Sequence, residues 1–133
     1  MLAAVDSGEV SLGLINHYYW HELVAEEGAD AVNAKTRFLN ADDPGALINV
    51  AGVGVLTSSD TQDAAAKVVA YLTSKPAQQY FADETAEYPV LAGVTTDKHD
   101  LPDLASLTSA GIDLGQLDSL EATLGMLDEV GLT

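Results

Sequence analysis

The sequence of 133 residues contains no cysteine. Without a thiol the chain can form no disulfide, no thiolate metal site and no cysteine nucleophile, although this absence leaves the redox compartment undetermined. No stretch approaches the roughly 20 apolar residues that a membrane-spanning helix needs. Residues 1–6 have neither a basic region nor a long apolar core, so we expect no export signal within them.

Positive charge is also scarce: five Lys and Arg residues stand against 21 Asp and Glu residues, and the formal net charge is −16 at pH 7. Such a chain has no basic surface with which to neutralise phosphates, which argues against nucleic acid and anionic membranes as partners. The charge is compatible with attraction of cations. Because the acids are spread along the chain, we interpret them as a solubility or high-salt adaptation rather than as a binding patch.

Motifs of the common enzyme classes are missing as well. The sequence has no nucleophile elbow, phosphate-binding loop, dinucleotide fingerprint or paired-carboxylate motif. Gly52 and Gly54 lie inside an apolar run, without a third glycine to open a helix. We therefore expect that the protein is not an enzyme.

Hydrophobic residues make up 47% of the chain, which is enough for a core. Short apolar runs alternate with segments of helical periodicity, and this alternation predicts the α/β class. Gly8 and Gly28 are placed to end the first two helices, and Pro76 to begin the fourth. The predicted strands are 10–15, 35–39 and 46–56. Residues 2–5 are predicted to be the end of a helix whose start is missing, and further helices are predicted to start near Trp20, Asp60 (with Asp63 as a capping box), Ser74 and Leu117.

The most distinctive stretch is Gly13 to Trp20, which reads Gly-Leu-Ile-Asn-His-Tyr-Tyr-Trp. An apolar strand ends before Asn16 and a helical pattern begins at Trp20, so Tyr18 and Tyr19 are predicted at a strand-to-helix junction. Ligands bind at such junctions because strand ends and helix N-termini face the same crevice. Two phenols turned towards one point can bind a hard trivalent cation through anionic oxygen, although a Tyr-Tyr pair alone is usually a packing or surface feature.

Asn-x-Tyr-Tyr-Trp after a Gly-Leu-Ile strand resembles the tyrosine-pair segment of the ferric-ion-binding proteins, the solute-binding subunits of bacterial ABC iron importers. Residues 46–56, 75–81 and 87–89 resemble later segments of that family in the same order. The resemblance covers essentially the whole chain but only the C-terminal half of such a protein. It implies part of a two-lobed periplasmic-binding-protein-like fold, with a mixed sheet and helices on its faces, that is incomplete in this chain.

The resemblance also implies a site. Tyr18 and Tyr19 match ligands of ferric iron (Fe3+), and Asn16 matches the position that contacts a synergistic small anion, phosphate or carbonate. The other ligands would come from the missing N-terminal half, and His17 is not assigned as a ligand. The protein would be extracytoplasmic, in the periplasm or as a cell-surface lipoprotein whose signal is not in this chain, and it would deliver iron to an ABC permease in the membrane.

By the same analogy the chain passes between two lobes. Residues 1–48 would belong to the C-terminal lobe with the tyrosine pair, residues 49–99 to the N-terminal lobe, and residues 100–133 to the return into the C-terminal lobe with the final helix. Such a fragment would lack strands from both sheets and expose apolar edges. We therefore predict a domain-swapped homo-oligomer if the chain folds alone.

Other readings stay open: a solute-binding protein for an oxyanion or small organic solute, or an interaction module that binds no solute. A zinc site at His17 and His21 is a further alternative, since histidines four apart share a helix face. We favour a solvated pair, because His17 is predicted to precede the helix and Ala25 stands where the zinc-protease motif needs its second histidine. His99 is predicted to be isolated, and the remaining tyrosines (Tyr71, Tyr80 and Tyr88) to be packing residues.

Overall fold

The computed structural model of the protein describes residues 1–40, 43, 45–107 and 119–132. The helices in these ranges are α1 (Leu2–Asp6), α2 (His17–Glu27), α3 (Gln62–Leu72), α4 (Lys75–Glu84), α5 (Leu104–Leu107) and α6 (Leu120–Glu129). None of these described helices has the length and apolar character needed to cross a membrane. Leu117, the predicted start of the last helix, lies outside the described residues.

Local sequence signals account for several helix ends. Gly8 (φ 79°) and Gly28 (φ 89°) have positive φ just after α1 and α2, a conformation that a residue with a Cβ adopts only at a cost. Pro76 stands in the first turn of α4. Ser119 caps α6, because its hydroxyl accepts a hydrogen bond from the backbone N–H of Ala122 at 3.2 Å. The two glycine stops and the proline start are thus confirmed.

Two helices begin elsewhere than predicted. α2 begins at His17, three residues early, because Asn16 has an extended backbone (φ −71°, ψ 142°) and serves as the N-cap. α3 begins after Thr61, and within the described residues no side chain caps its start. The predicted capping box at Asp60 and Asp63 is therefore wrong.

The three predicted strands are also wrong for the part of the chain that the structure describes. Residues 10–15, 35–39 and 46–56 are neither helix nor strand, and the described residues contain no sheet. A strand needs the backbone N–H and C=O groups of a neighbouring strand to complete its ladder. Apolar patterning by itself does not supply that neighbour, so the predicted mixed sheet is not seen.

The hydrophobic core of the described residues is small. Leu12 and Leu14, from a predicted strand, are 87% and 89% exposed. The accessible surface is 10179 Å², whereas a compact monomer of this mass would expose roughly 6,700 Å². A large apolar area is thus left uncovered in the described part of the chain. The buried apolar residues are Val32, Ala34, Ala77, Ala82, Ala86 and Val94.

Gln78 connects the two central helices to the segment that follows them. It is buried on α4, which packs against α3. Its amide Nε2 donates to the carbonyl of Leu72 at 2.8 Å, and its Oε1 accepts from the backbone N–H of Val90 at 2.8 Å. Because both main-chain partners bond to one buried amide, Gln78 holds the end of α3 and the chain after α4 together.

The three outlying tyrosines differ in their surroundings. Tyr71 and Tyr80 are 63% and 60% exposed, so their assignment as packing residues is wrong. Tyr71 shares the exposed side of α3 with Val68, which is 56% exposed. Tyr88 is half-buried and donates its hydroxyl to the carbonyl of Pro102 at 2.7 Å, which confirms its packing role.

Candidate metal centre

The tyrosine pair lies in the first turn of α2, immediately after the N-cap. The predicted strand-to-helix junction is therefore a helix N-terminus. Consecutive residues of a helix diverge by about 100° around its axis, yet the rings of Tyr18 and Tyr19 lie 4.6 Å apart between centroids, inclined by 53°. Both phenols thus stand together at one end of the helix.

Asn16 joins the pair through its side chain. An asparagine N-cap usually accepts a hydrogen bond from a backbone N–H of the first turn, but its side chain makes no such bond to any described residue. Its amide Nδ2 instead donates to the phenol oxygen of Tyr18 at 2.8 Å, and the ring of Tyr18 lies 4.6 Å from that of Tyr19 between centroids. The structure therefore brings the three residues singled out from the sequence into one array of side chains.

The surroundings of Tyr19 keep its hydroxyl protonated. The hydrogen bond with Tyr18 is the main cause that raises the pKa of Tyr19 above the ordinary value of 10.0, and the charge of Tyr18, burial and the carboxylate of Glu22 act in the same direction. A phenol must lose its proton before it can act as an anionic ligand. A bound cation favours that loss because it stabilises the phenolate.

Tyr19 is also accessible from solvent. It is 47% exposed and lines an open groove of about 490 Å³ between α1 and α2. Glu22 and Glu26, on successive turns of α2, line the same groove. Their carboxylates give this side of the tyrosine pair a negative potential, which attracts cations.

Long-range hydrogen bonds fix the position of α2. The indole Nε1 of Trp20 donates to the carbonyl of Ala34 at 2.8 Å. The carboxylate of Asp6 accepts from the backbone N–H groups of Asn33 (2.7 Å) and Ala34 (2.9 Å). One short segment therefore holds both α1 and α2. The sequence contains no local pattern that pairs these positions.

The three histidines lie together rather than apart. His17 and His21 both belong to α2, with ring centroids 6.4 Å apart, so the prediction that His17 precedes the helix is wrong. The ring of His99 lies 4.9 Å from that of His21, so the prediction that His99 is isolated is wrong too. Folding brings these rings together from positions far apart in the chain.

The zinc alternative is not supported by this cluster. The Nε2 atoms of His17 and His99 donate to the carbonyls of Ala86 (2.7 Å) and Asp83 (2.9 Å) rather than facing a common point. Burial lowers the pKa of His21, and His99 and His17 lower it further. Across the ranges that the structure describes, no group of three or more His, Cys, Asp or Glu side chains is arranged to hold a metal ion.

Comparison with known proteins agrees with the resemblance. The family described as bacterial extracellular solute-binding protein matches residues 1–113. The chain is 36% identical over 131 residues to the major ferric iron-binding protein of Neisseria meningitidis, and the alignment covers 98% of this chain and 39% of the relative. It is 38% identical over 127 residues to iron uptake protein A1 of Synechocystis, an alignment that covers 92% of this chain and 34% of the relative. It is 32% identical over 133 residues to the Fe(3+)-binding periplasmic protein of Serratia marcescens, with 99% of this chain and 39% of the relative covered.

The chain belongs to the family of bacterial extracellular solute-binding proteins. Within that family it is similar to members whose names refer to iron, which confirms the resemblance found in the sequence. It spans 39% of the length of the Neisseria relative. The periplasmic-binding-protein fold follows from the family rather than from a sheet in the described residues.

Proposed function

We propose that this chain is the C-terminal part of the extracytoplasmic solute-binding subunit of an ABC importer for ferric iron. Tyr18 and Tyr19 would supply two phenolate ligands, and Asn16 would contact a synergistic small anion, phosphate or carbonate. The observation that carries the proposal is the array of these three side chains at the N-terminal end of α2, where Asn16 bonds to Tyr18 and the rings of Tyr18 and Tyr19 lie side by side. The names of three relatives add support. The role is binding and delivery to a membrane permease, with no chemical transformation.

The chemistry of the array suits this ion. Ferric iron is a small, hard, trivalent cation that prefers anionic oxygen to nitrogen or sulfur. Two phenolates favour the ferric over the ferrous state, because the higher charge gains more from each negative oxygen. The N-terminus of an 11-residue helix favours an anion beside Asn16, since its dipole and free N–H groups attract negative charge.

We propose that the remaining ligands and the partner strands of the sheet lie in the rest of the full-length protein. The uncovered apolar segments, with Leu12 and Leu14 almost fully exposed, are surfaces to which such strands would add. The division into lobes at 1–48, 49–99 and 100–133 stays a prediction. Location outside the cytoplasm accords with the family description.

The same surface predicts how the 133-residue chain behaves alone. Exposed apolar segments would pair with those of another copy, giving a domain-swapped homo-oligomer. Size-exclusion chromatography with light scattering should give a molar mass of two or more chains of 13.9 kDa each. A clean monomer would contradict this expectation.

Titration of the full-length protein with ferric citrate tests the iron proposal. Phenolate bound to ferric iron produces a visible charge-transfer colour, and a double variant Tyr18→Phe, Tyr19→Phe should abolish it. The matched control is Tyr71→Phe, Tyr80→Phe, which removes two exposed phenols outside α2 and should keep the colour. Colour that survives the first double variant, or a colourless wild type, would overturn the proposal.

One observation favours a second candidate. Because the side chain of Asn16 bonds to Tyr18 rather than to the backbone of α2, the helix N-terminus is open to an anion. A solute-binding protein for an oxyanion or a small organic acid would use the same feature. Thermal stabilisation by such solutes, with no response to ferric citrate, would favour this candidate.

A further inference from the structure

His17 is the contact through which the first turn of α2 meets the turn after α4. Its Nε2 donates to the carbonyl of Ala86 at 2.7 Å. Ala86 is fully buried and has a positive φ of 54°. A buried carbonyl costs free energy unless it is hydrogen-bonded, so the bond holds the ring of His17 at this point.

The ring of His17 also sits among aromatic neighbours. Its centroid lies 5.4 Å from that of Tyr88 and 6.0 Å from that of Phe38. These two rings come from separate non-helical segments that flank α2 in space. Together with the bond to Ala86, these contacts restrict the orientation of the His17 ring.

The ring of His17 is in contact with Tyr18. The rings of His17 and Tyr18 meet edge to face, 5.7 Å apart at 70°, a favoured geometry for aromatic pairs. The hydroxyl of Tyr18 is held at its other end by the amide of Asn16 at 2.8 Å. The phenol is thus fixed at both ends, and a fixed ligand loses less conformational entropy when it binds.

A carbonyl oxygen can only accept, so Nε2 of His17 carries the hydrogen in this bond. That nitrogen is therefore not free to coordinate a metal ion.

We propose that His17 is a positioning residue for Tyr18: its hydrogen bond to Ala86 locks the first turn of α2 so that the phenol of Tyr18 points at the bound ion. This inference rests on the proposed function of the tyrosine pair. Partners that orient metal ligands in this way typically change affinity by 10- to 100-fold when they are removed.

The test separates the ring from its hydrogen bond in the full-length protein. His17→Phe keeps an aromatic ring but loses the donor, whereas His17→Gln keeps a donor of similar reach but loses the ring. We expect His17→Phe to weaken iron binding about tenfold and to shift the charge-transfer band. We expect His17→Gln to stay within about threefold of wild type, because it restores the bond to Ala86.

The matched control is His99→Phe. Nε2 of His99 also donates to a backbone carbonyl, that of Asp83 at 2.9 Å, but the ring contacts His21 rather than Tyr18. His17→Phe and His99→Phe should lower Tm by similar amounts, since each loses one bond of the same kind. Only the change at His17 should alter iron affinity, measured by competition with citrate, and the band.

Three results would overturn the inference. A His17→Phe protein with wild-type affinity and band would do so, as would equal losses of affinity in His17→Phe and His99→Phe, because the effect would then follow stability alone. Equal weakening in His17→Gln and His17→Phe would show that the bond to Ala86 is not what matters. A wild type that stays colourless with ferric citrate would instead overturn the proposed function, and this inference with it.

Discussion

Iron binding should release protons from the tyrosine pair, and Tyr19→Phe should remove about one of them. The pKa of Tyr19 lies above 10.0 because of its hydrogen bond with Tyr18. At pH 7 a phenol of this kind is ionised in fewer than roughly one molecule in a thousand. Coordination as a phenolate therefore expels about one proton from Tyr19.

The sign of the pH dependence follows from this release. As pH falls, the free phenol holds its proton more firmly, so iron binds less tightly. Each phenol that must ionise costs about a tenfold loss of affinity for every pH unit below its pKa. With the two phenolate ligands proposed for the wild type, its affinity should fall about tenfold more steeply per pH unit than that of Tyr19→Phe.

Calorimetric titration with a ferric chelate, in buffers of different ionisation enthalpy, counts the released protons. Protons taken up by the chelator are the same for both proteins and cancel in the difference between wild type and Tyr19→Phe. The expected difference is about one proton per iron. Tyr71→Phe, at an exposed tyrosine of α3, should give no difference. Equal proton release by wild type and Tyr19→Phe would refute the assignment of Tyr19 as a phenolate ligand.

Further predictions concern stability and titration of the full-length protein. Trp20→Phe removes the indole donor to the buried carbonyl of Ala34 and should lower the free energy of unfolding in urea by about 1–3 kcal/mol; no change would contradict it. Gln78→Met loses two hydrogen bonds to main-chain groups and should lower the free energy of unfolding by about 2–4 kcal/mol. The control Gln62→Met, at an exposed amide with one hydrogen bond, should lower it by less than about 1 kcal/mol. The pKa of His21 is lowered chiefly by burial, so its NMR titration midpoint should lie below 6.5. Because the folded state favours the neutral ring, the free energy of unfolding should decrease as pH falls below 6.5. A midpoint at or above 6.5 would be inconsistent with the structure.

Features that depend on neighbours within a turn could be read from the sequence. Gly28 ends α2 because glycine tolerates a positive φ, and Pro76 opens α4 because its ring fixes φ near the helical value. Asn16 and Tyr18 meet because they are two residues apart at the start of one helix. Membership of the solute-binding family could also be predicted from the sequence, since the segments that resemble the family, and their order along the chain, do not depend on the tertiary structure.

Other features were decided by how distant segments meet. His17 bonds to Ala86, 69 residues away, and Trp20 bonds to Ala34; no local pattern specifies either pairing. The predicted strands failed for the same reason, because a ladder exists only when a second backbone lies alongside. Residue types and their spacing determine what a segment can form, whereas a partner in space determines whether it does.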